Sequence, residues 1–144
     1  MKSVWVSTTL VLALVTTILV GCDETTTPST PVAPAPVAGK GGNATIYVTP
    51  INKGMNIDSC FVRIKYNAPV IPADRVFDDS VFAVKNLDGV YTANFSGLKT
   101  GEYYLYGTGW DNVRSERVRG GMPYIISDTN KATKHTIILQ VQQY

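Results

Sequence analysis

The side chains that most often act as nucleophiles and bases are scarce in this chain. It holds two cysteines, Cys22 and Cys60, and one histidine, His135. A nucleophilic pair of Cys60 and His135 is conceivable, because strands that are distant in sequence can meet in a sheet. We favour a different interpretation, since Cys60 shares its strand parity with Val62 and Ile64. A free cysteine in such a pattern usually behaves as a small hydrophobic side chain.

Potential metal ligands do not cluster in the sequence either. His135 lies outside any His-x-His, Cys-x-x-Cys or His-Glu-x-x-His pattern, and these spacings are what bring two ligands to one ion. Asp78 and Asp79 could suggest calcium binding or acid–base chemistry. Neighbours in a strand or loop point apart, however, and the Asp-x-Asp-x-Asp-Gly loop of calcium sites is missing. We therefore expect a solvated acidic loop, with no metal and no cofactor.

Basic residues form only one small group, Arg114, Arg117 and Arg119, with Glu116 among them. We interpret this group as a solvated loop or an edge strand whose charges discourage aggregation. The formal net charge of the chain is +2. Such a charge offers no basic footprint for nucleic acid, so we expect no nucleic-acid partner.

Aromatic side chains form the candidate binding surface. Tyr104 and Tyr106 share the outward parity of a predicted strand, and Trp110 ends the same series beside Asp111 and Arg114. Ligand sites and protein interfaces both combine aromatic faces with a few polar donors. The alternative is that these rings cover the sheet or pack beneath a long neighbouring connection. We predict that the five residues bind an envelope protein or a glycan.

These rings depend on residues 90–111 (VYTANFSGLKTGEYYLYGTGWD), which predict a strand, a corner and a second strand. Apolar and polar residues alternate with period two on both sides of the turn. Within the turn, Leu98, Gly101 and Tyr103 have the form of a tyrosine corner, in which the tyrosine hydroxyl bonds to backbone a few residues upstream. That corner belongs to Greek-key β-sandwiches.

The same stretch resembles a known family. Residues 97–105 (GLKTGEYYL) are similar to the signature of transthyretin-like (prealbumin-like) sandwich domains, which include the carboxypeptidase regulatory-like and Cna B-type modules of bacterial surface proteins. Residues 88–91 (DGVY) resemble the turn before that signature, and residues 118–121 (VRGG) resemble a step after it. The resemblance spans residues 44–144 and implies a fold more than a function. It does not extend to the 5-hydroxyisourate hydrolases of this fold, whose site uses several histidines and a C-terminal Tyr-Arg-Gly-Ser.

The first residues have the form of an export signal. Lys2 is a short positive segment, residues 4–20 are uncharged and largely apolar, and residues 19–22 (LVGC) resemble the lipobox of bacterial lipoproteins. This resemblance implies a signal peptide over residues 1–21 and a diacylglycerol thioether on Cys22, which anchors the chain to the membrane. The alternative is an uncleaved transmembrane anchor.

Residues 22–42 predict a tether and residues 43–144 a single domain. The tether is rich in Thr, Pro, Ala and Gly, a composition that favours disordered or polyproline II backbone. Acidic Asp23 and Glu24 directly after Cys22 resemble two conflicting lipoprotein sorting signals, and we favour the outer membrane or cell surface. About seven strands with regular turns predict an all-β, Greek-key sandwich of transthyretin or immunoglobulin-like type.

The sequence therefore predicts a lipid-anchored, extracytoplasmic binding or structural module without catalytic activity. The alternative is an accessory domain or small hydrolase of the cell envelope. A cluster of titratable groups in one cleft would favour the hydrolase.

Replacing Cys22 tests the predicted anchor. Cys22→Ala should give an unprocessed precursor or a soluble form, because the lipid is the only membrane anchor that we expect after cleavage of the signal. Fractionation and mass spectrometry of the variant measure this. Normal maturation with membrane retention would contradict it.

Overall fold

A computed structural model of the chain describes residues 36–127 and 133–144. The predicted signal peptide, Cys22 and the predicted linker up to residue 35 lie outside the described residues. Within the described ranges the chain forms ten strands and no helix. The strands are β1 (Lys40–Asn52), β2 (Met55–Asn56), β3 (Ser59–Tyr66), β4 (Asp79–Phe82), β5 (Val84–Lys85), β6 (Tyr91–Leu98), β7 (Gly101–Asp111), β8 (Glu116–Ile126), β9 (Lys134–Gln140) and β10 (Gln142–Gln143).

The strands form two sheets, and the predicted all-β class is confirmed. In the first sheet, β1 pairs with β2, β6 and β9, and β5 extends the sheet beyond β6. The second sheet has the order β10-β8-β7-β3-β4. All pairs are antiparallel except β1 with β9, which is parallel. Three of the ten strands, β2, β5 and β10, are two-residue pieces, and the other seven are longer.

One hydrophobic core lies between the sheets. Side chains of β7 alternate as predicted, because Tyr103 and Leu105 are fully buried while Tyr104 and Tyr106 are half-buried on the other face. β9 behaves in the same way and buries Leu139. The core therefore draws on inward residues of both sheets, as binary patterning requires. Its largest apolar members are Ile46, Ile64, Phe95, Leu98, Tyr103, Leu105, Ile126 and Leu139.

Two glycines allow the chain to cross from the first sheet to the second near its C-terminus. The crossing occurs between β9 and β10, where the Val141 amide still bonds to the carbonyl of Ile51 in the first sheet. A Cβ atom on Gly120 would lie 2.0 Å from the carbonyl oxygen of Gln140, and one on Gly107 would lie 2.9 Å from Leu139. These positions tolerate no side chain, because backbone and core atoms already fill the space.

Tyr103 forms the corner bond that the sequence predicts. Its hydroxyl donates to the carbonyl of Lys99 at 2.7 Å and accepts the amide of Gly39 at 3.1 Å. A Cβ atom on Gly101 would lie 2.6 Å from the backbone nitrogen of Ala38. Burial raises the pKa of the Tyr103 hydroxyl, although its bonds to the Gly39 and Lys99 backbone act in the opposite direction. The corner thus joins β7 to the chain that precedes β1.

Regular structure begins a few residues before residue 43, the predicted start of the domain. β1 begins at Lys40, and Asn67 bonds to the Ala38 amide at 2.7 Å. The glycines of this segment suggested a flexible linker, but Gly42 is needed for close packing. A Cβ atom there would lie 2.0 Å from the Leu98 carbonyl oxygen. Residues 38–42 therefore belong to the folded unit.

Removing the Tyr103 hydroxyl tests the corner. Tyr103→Phe should lower the free energy of unfolding by about 1–3 kcal/mol, because the Lys99 carbonyl and Gly39 amide lose their partner. Thermal and denaturant unfolding of both forms measures the difference. The difference in free energy of unfolding between wild type and variant should be largest below pH ~10. It should decrease as the pH rises through the raised pKa of Tyr103. Equal melting temperatures at pH 7 would contradict this role.

Candidate functional site

The outer face of the second sheet gathers most of the candidate residues. β7 runs through its centre, flanked by β3 and β8. The register places Arg63 beside Tyr106, Phe61 beside Thr108 and Ser59 beside Trp110. We call the solvent-side residues of these three strands the outer face. They are Ser59, Phe61, Arg63, Lys65, Glu102, Tyr104, Tyr106, Thr108, Trp110, Arg117, Arg119, Gly121, Pro123 and Ile125.

The predicted aromatic stripe is on this face but is not exposed along its whole length. The Tyr106 ring stacks on Phe77, with centroids 5.5 Å apart and planes at 9°. The guanidinium of Arg75 also lies 5.5 Å from the Tyr106 centroid. The alternative interpretation thus holds for Tyr106, which packs beneath the connection between β3 and β4. Tyr104 is half-buried, and only Trp110 is well exposed, at 41%.

Asp111 is buried, and both oxygens of its carboxylate accept hydrogen bonds from within the protein. It is 2% exposed, and its Oδ2 accepts from Asn52 at 2.8 Å and from Arg114 at 3.1 Å. Its Oδ1 accepts the backbone amides of Val113 and Arg114. Burial raises the pKa of the Asp111 carboxyl, but these hydrogen bonds outweigh burial and lower that pKa below its usual value. Asp111 and Arg114 therefore close the loop between β7 and β8.

Asp78 and Asp79 hold the connection between β3 and β4 against the sheet. Asp78 accepts the Tyr66 amide at 2.6 Å and the Lys65 ammonium at 3.1 Å. Asp79 pairs with Lys40 at 3.1 Å. Asp78 and Asp79 thus form hydrogen bonds and ion pairs in the loop that we expected to be solvated. These partners fix where the connection leaves β3 and enters β4. This connection supplies Arg75 and Phe77.

A tight turn aims Arg75 at the sheet. The Arg75 amide donates to the carbonyl of Pro72 at 3.1 Å, and Asp74 accepts the Val76 amide at 3.0 Å. Arg75 itself has a φ of 57°, a left-handed conformation that costs a non-glycine residue about 1 kcal/mol. The turn places the Arg75 guanidinium over Tyr106.

Between the connection and the sheet lies a cleft of about 450 Å³, which we call the arginine cleft. Arg63, Arg75, Phe77, Tyr106 and Arg119 line it. Among the described residues, no carboxylate oxygen lies within 4.0 Å of these three guanidinium groups. Two of these arginines contact neutral groups. Arg63 donates to the Thr108 hydroxyl at 2.7 Å, and the Arg119 guanidinium lies 4.3 Å from the Tyr144 ring centroid. The three arginines of the cleft therefore have no carboxylate partner within 4.0 Å among the described residues.

Of the residues that line the cleft, Tyr106 and Arg119 stand out in the sequence, whereas Arg63, Arg75 and Phe77 do not. Arg119 belonged to the predicted basic group, although Arg114 and Arg117 do not line the cleft. Arg63 could have been found from the sequence, because it occupies an outward position of an apolar strand. No sequence pattern indicated Arg75, because a turn in an irregular connection determines its position.

Cys60 and His135 do not meet as a nucleophilic pair. Cys60 lies in the second sheet with no exposed surface, and burial raises the pKa of its thiol to about 12. His135 lies in the first sheet, where its Nδ1 is 2.8 Å from the Tyr124 hydroxyl. No group of three potential metal ligands occurs within residues 36–127 and 133–144.

A larger cavity of about 710 Å³ lies beside the tyrosine corner. Backbone and apolar groups such as Leu98 and Ile126 line it, and Lys99 is the one ionisable residue among its described lining. The cavity is larger than the arginine cleft but has few polar or ionisable groups, so the arginine cleft is the better candidate site.

No family model, no curated protein and no solved structure matches this chain. In the part of the chain that the structure describes, no helix is long and apolar enough to cross a membrane.

Chemical labelling tests the inert thiol. In a Cys22→Ala background, Cys60 should stay unlabelled by a thiol reagent at pH 8, because it is buried and its thiolate form is disfavoured. Guanidinium chloride should make labelling fast. Native labelling at the unfolded rate would show that the thiol is accessible and would reopen the nucleophile hypothesis.

Proposed function

We propose that this protein is a lipid-anchored, extracytoplasmic module that binds an envelope component through the outer face of its second sheet. The N-terminal resemblance to a lipobox supports the anchor. The tyrosine corner supports a Greek-key, transthyretin-like topology, because it lies where β6 of the first sheet passes into β7 of the second.

The observation that carries the binding function is the chemistry of the arginine cleft. A hydrolase needs groups that gain and lose protons near neutral pH. The ionisable groups of this cleft are three arginines and Tyr106, and a guanidinium group stays protonated in proteins. The cleft can hold and orient an anion, but its arginines offer no general base. This favours binding over the hydrolase alternative.

Exposed aromatic rings beside the cleft add apolar contact area. Phe61 and Trp110 are 48% and 41% exposed on the outer face. Phe82 of the neighbouring β4 is 42% exposed and packs edge-on against Phe61, with centroids 4.8 Å apart. Single exposed rings are normal on a protein surface, whereas adjacent rings bordered by polar groups are typical of interaction sites.

The rings provide a direct test. The double variant Phe61→Ser/Trp110→Ser should bind at least tenfold less to envelope fractions than the wild-type chain. The chain is labelled, and the fractions come from the organism that produces it. The matched control is Val84→Ser with Ile138→Ser, because these residues are 59% and 56% exposed in the first sheet. Thermal unfolding checks that both variants are folded. Unchanged retention of a folded Phe61/Trp110 variant would place the functional surface elsewhere.

A further inference from the structure

We propose that the arginine cleft binds a polysaccharide that bears carboxylate groups. This inference rests on the proposed binding function and names the chemical class of its ligand. Three separate features lead to it: the unpaired charge of the cleft, the spacing of its arginines and its position in the middle of a sheet.

The positive charge of the cleft favours binding of an anion. Four cations of the described part of the fold have carboxylate partners within 4.0 Å, among them Lys40 with Asp79 and Lys65 with Asp78. Arg63, Arg75 and Arg119 converge on one cleft with no such partner among the described residues. Like charges that share a cleft repel one another and attract anions. The planar guanidinium fork matches the geometry of a carboxylate.

The backbones of Arg63 and Arg119 are far enough apart for an extended ligand to lie between them. Arg63 and Arg119 lie on β3 and β8, which flank β7, so two strand spacings of about 4.8 Å separate their backbones. They are also offset by two residues along β7, because Arg63 pairs with Tyr106 and Arg119 is level with Thr108. That offset adds about 7 Å along the strand. Carboxylates repeated along a polymer can meet both guanidinium groups.

The position of the cleft favours a polysaccharide over an acidic peptide. An extended peptide binds a sheet most often by adding a strand at an open edge. The cleft lies over β3, β7 and β8. β3 and β7 have a strand on both sides, and β8 is paired with β10 at Val118 and Arg119, where it borders the cleft. A sugar chain needs no strand partner. Its hydroxyls can meet polar groups such as Thr108, and its apolar ring faces can lie on aromatic rings such as Phe61.

Calorimetric titration of the purified full chain tests the proposal. The probes are oligomers of polygalacturonate and alginate, which carry one carboxylate per sugar. Fully methyl-esterified polygalacturonate is the matched neutral probe. We expect binding to at least one acidic polymer, at least tenfold weaker binding to the ester, and weakening by added salt.

Matched variants locate the binding. Arg63→Gln with Arg119→Gln should weaken binding of the acidic polymer at least tenfold. Lys99→Gln with Lys134→Gln removes the same charge outside the cleft and should change affinity less than twofold. Should the arginine double variant unfold, Arg119→Gln alone decides, because Arg119 is exposed and weaker binding by threefold or more is still expected.

Several outcomes would overturn the proposal. These are binding of neither acidic polymer, equal binding of the ester, equal losses in the lysine variant, and preference for poly-L-glutamate over both polysaccharides. The last outcome would assign the cleft to an acidic protein. If the arginine variant keeps full retention on envelope fractions while the Phe61/Trp110 variant loses it, the cleft proposal fails and the proposed binding function stands.

Discussion

The hydroxyl of Tyr103 is the contact that joins the start of β7 to the chain before β1. One buried oxygen bonds to the Lys99 carbonyl within the corner and to the Gly39 amide before β1. It therefore ties the start of the folded unit to the central strand of the second sheet. Because β7 alternates strictly, fixing Tyr103 inward fixes Tyr106 outward, as the floor of the arginine cleft.

Local pattern was enough to predict this part of the molecule. The period-two alternation of residues 90–111 gave the correct inward and outward faces of β7, and the form of residues 98–103 gave the corner. The hydrophobic position of Cys60 followed from the same parity. Each of these features depends on residues close in sequence, where strand geometry leaves few alternatives.

Features set by distant contacts were not predictable in this way. Asp111 looked like a ligand-binding carboxylate because its partner Asn52 lies 59 residues away. Arg75 looked like part of an ordinary loop, because its place over Tyr106 depends on a turn and on the ties made by Asp78. The cleft forms only when the register of the second sheet and this connection are both in place.

The most direct test of the account is to map the bound surface by nuclear magnetic resonance. Trigalacturonate would be titrated into the isotope-labelled chain while backbone amide and arginine side-chain resonances are followed. We expect saturable shifts at Arg63, Tyr106 and Arg119, with none at Tyr47 or Ile138 on the outer side of the first sheet. Saturable shifts confined to the first sheet, or none at any concentration, would contradict it.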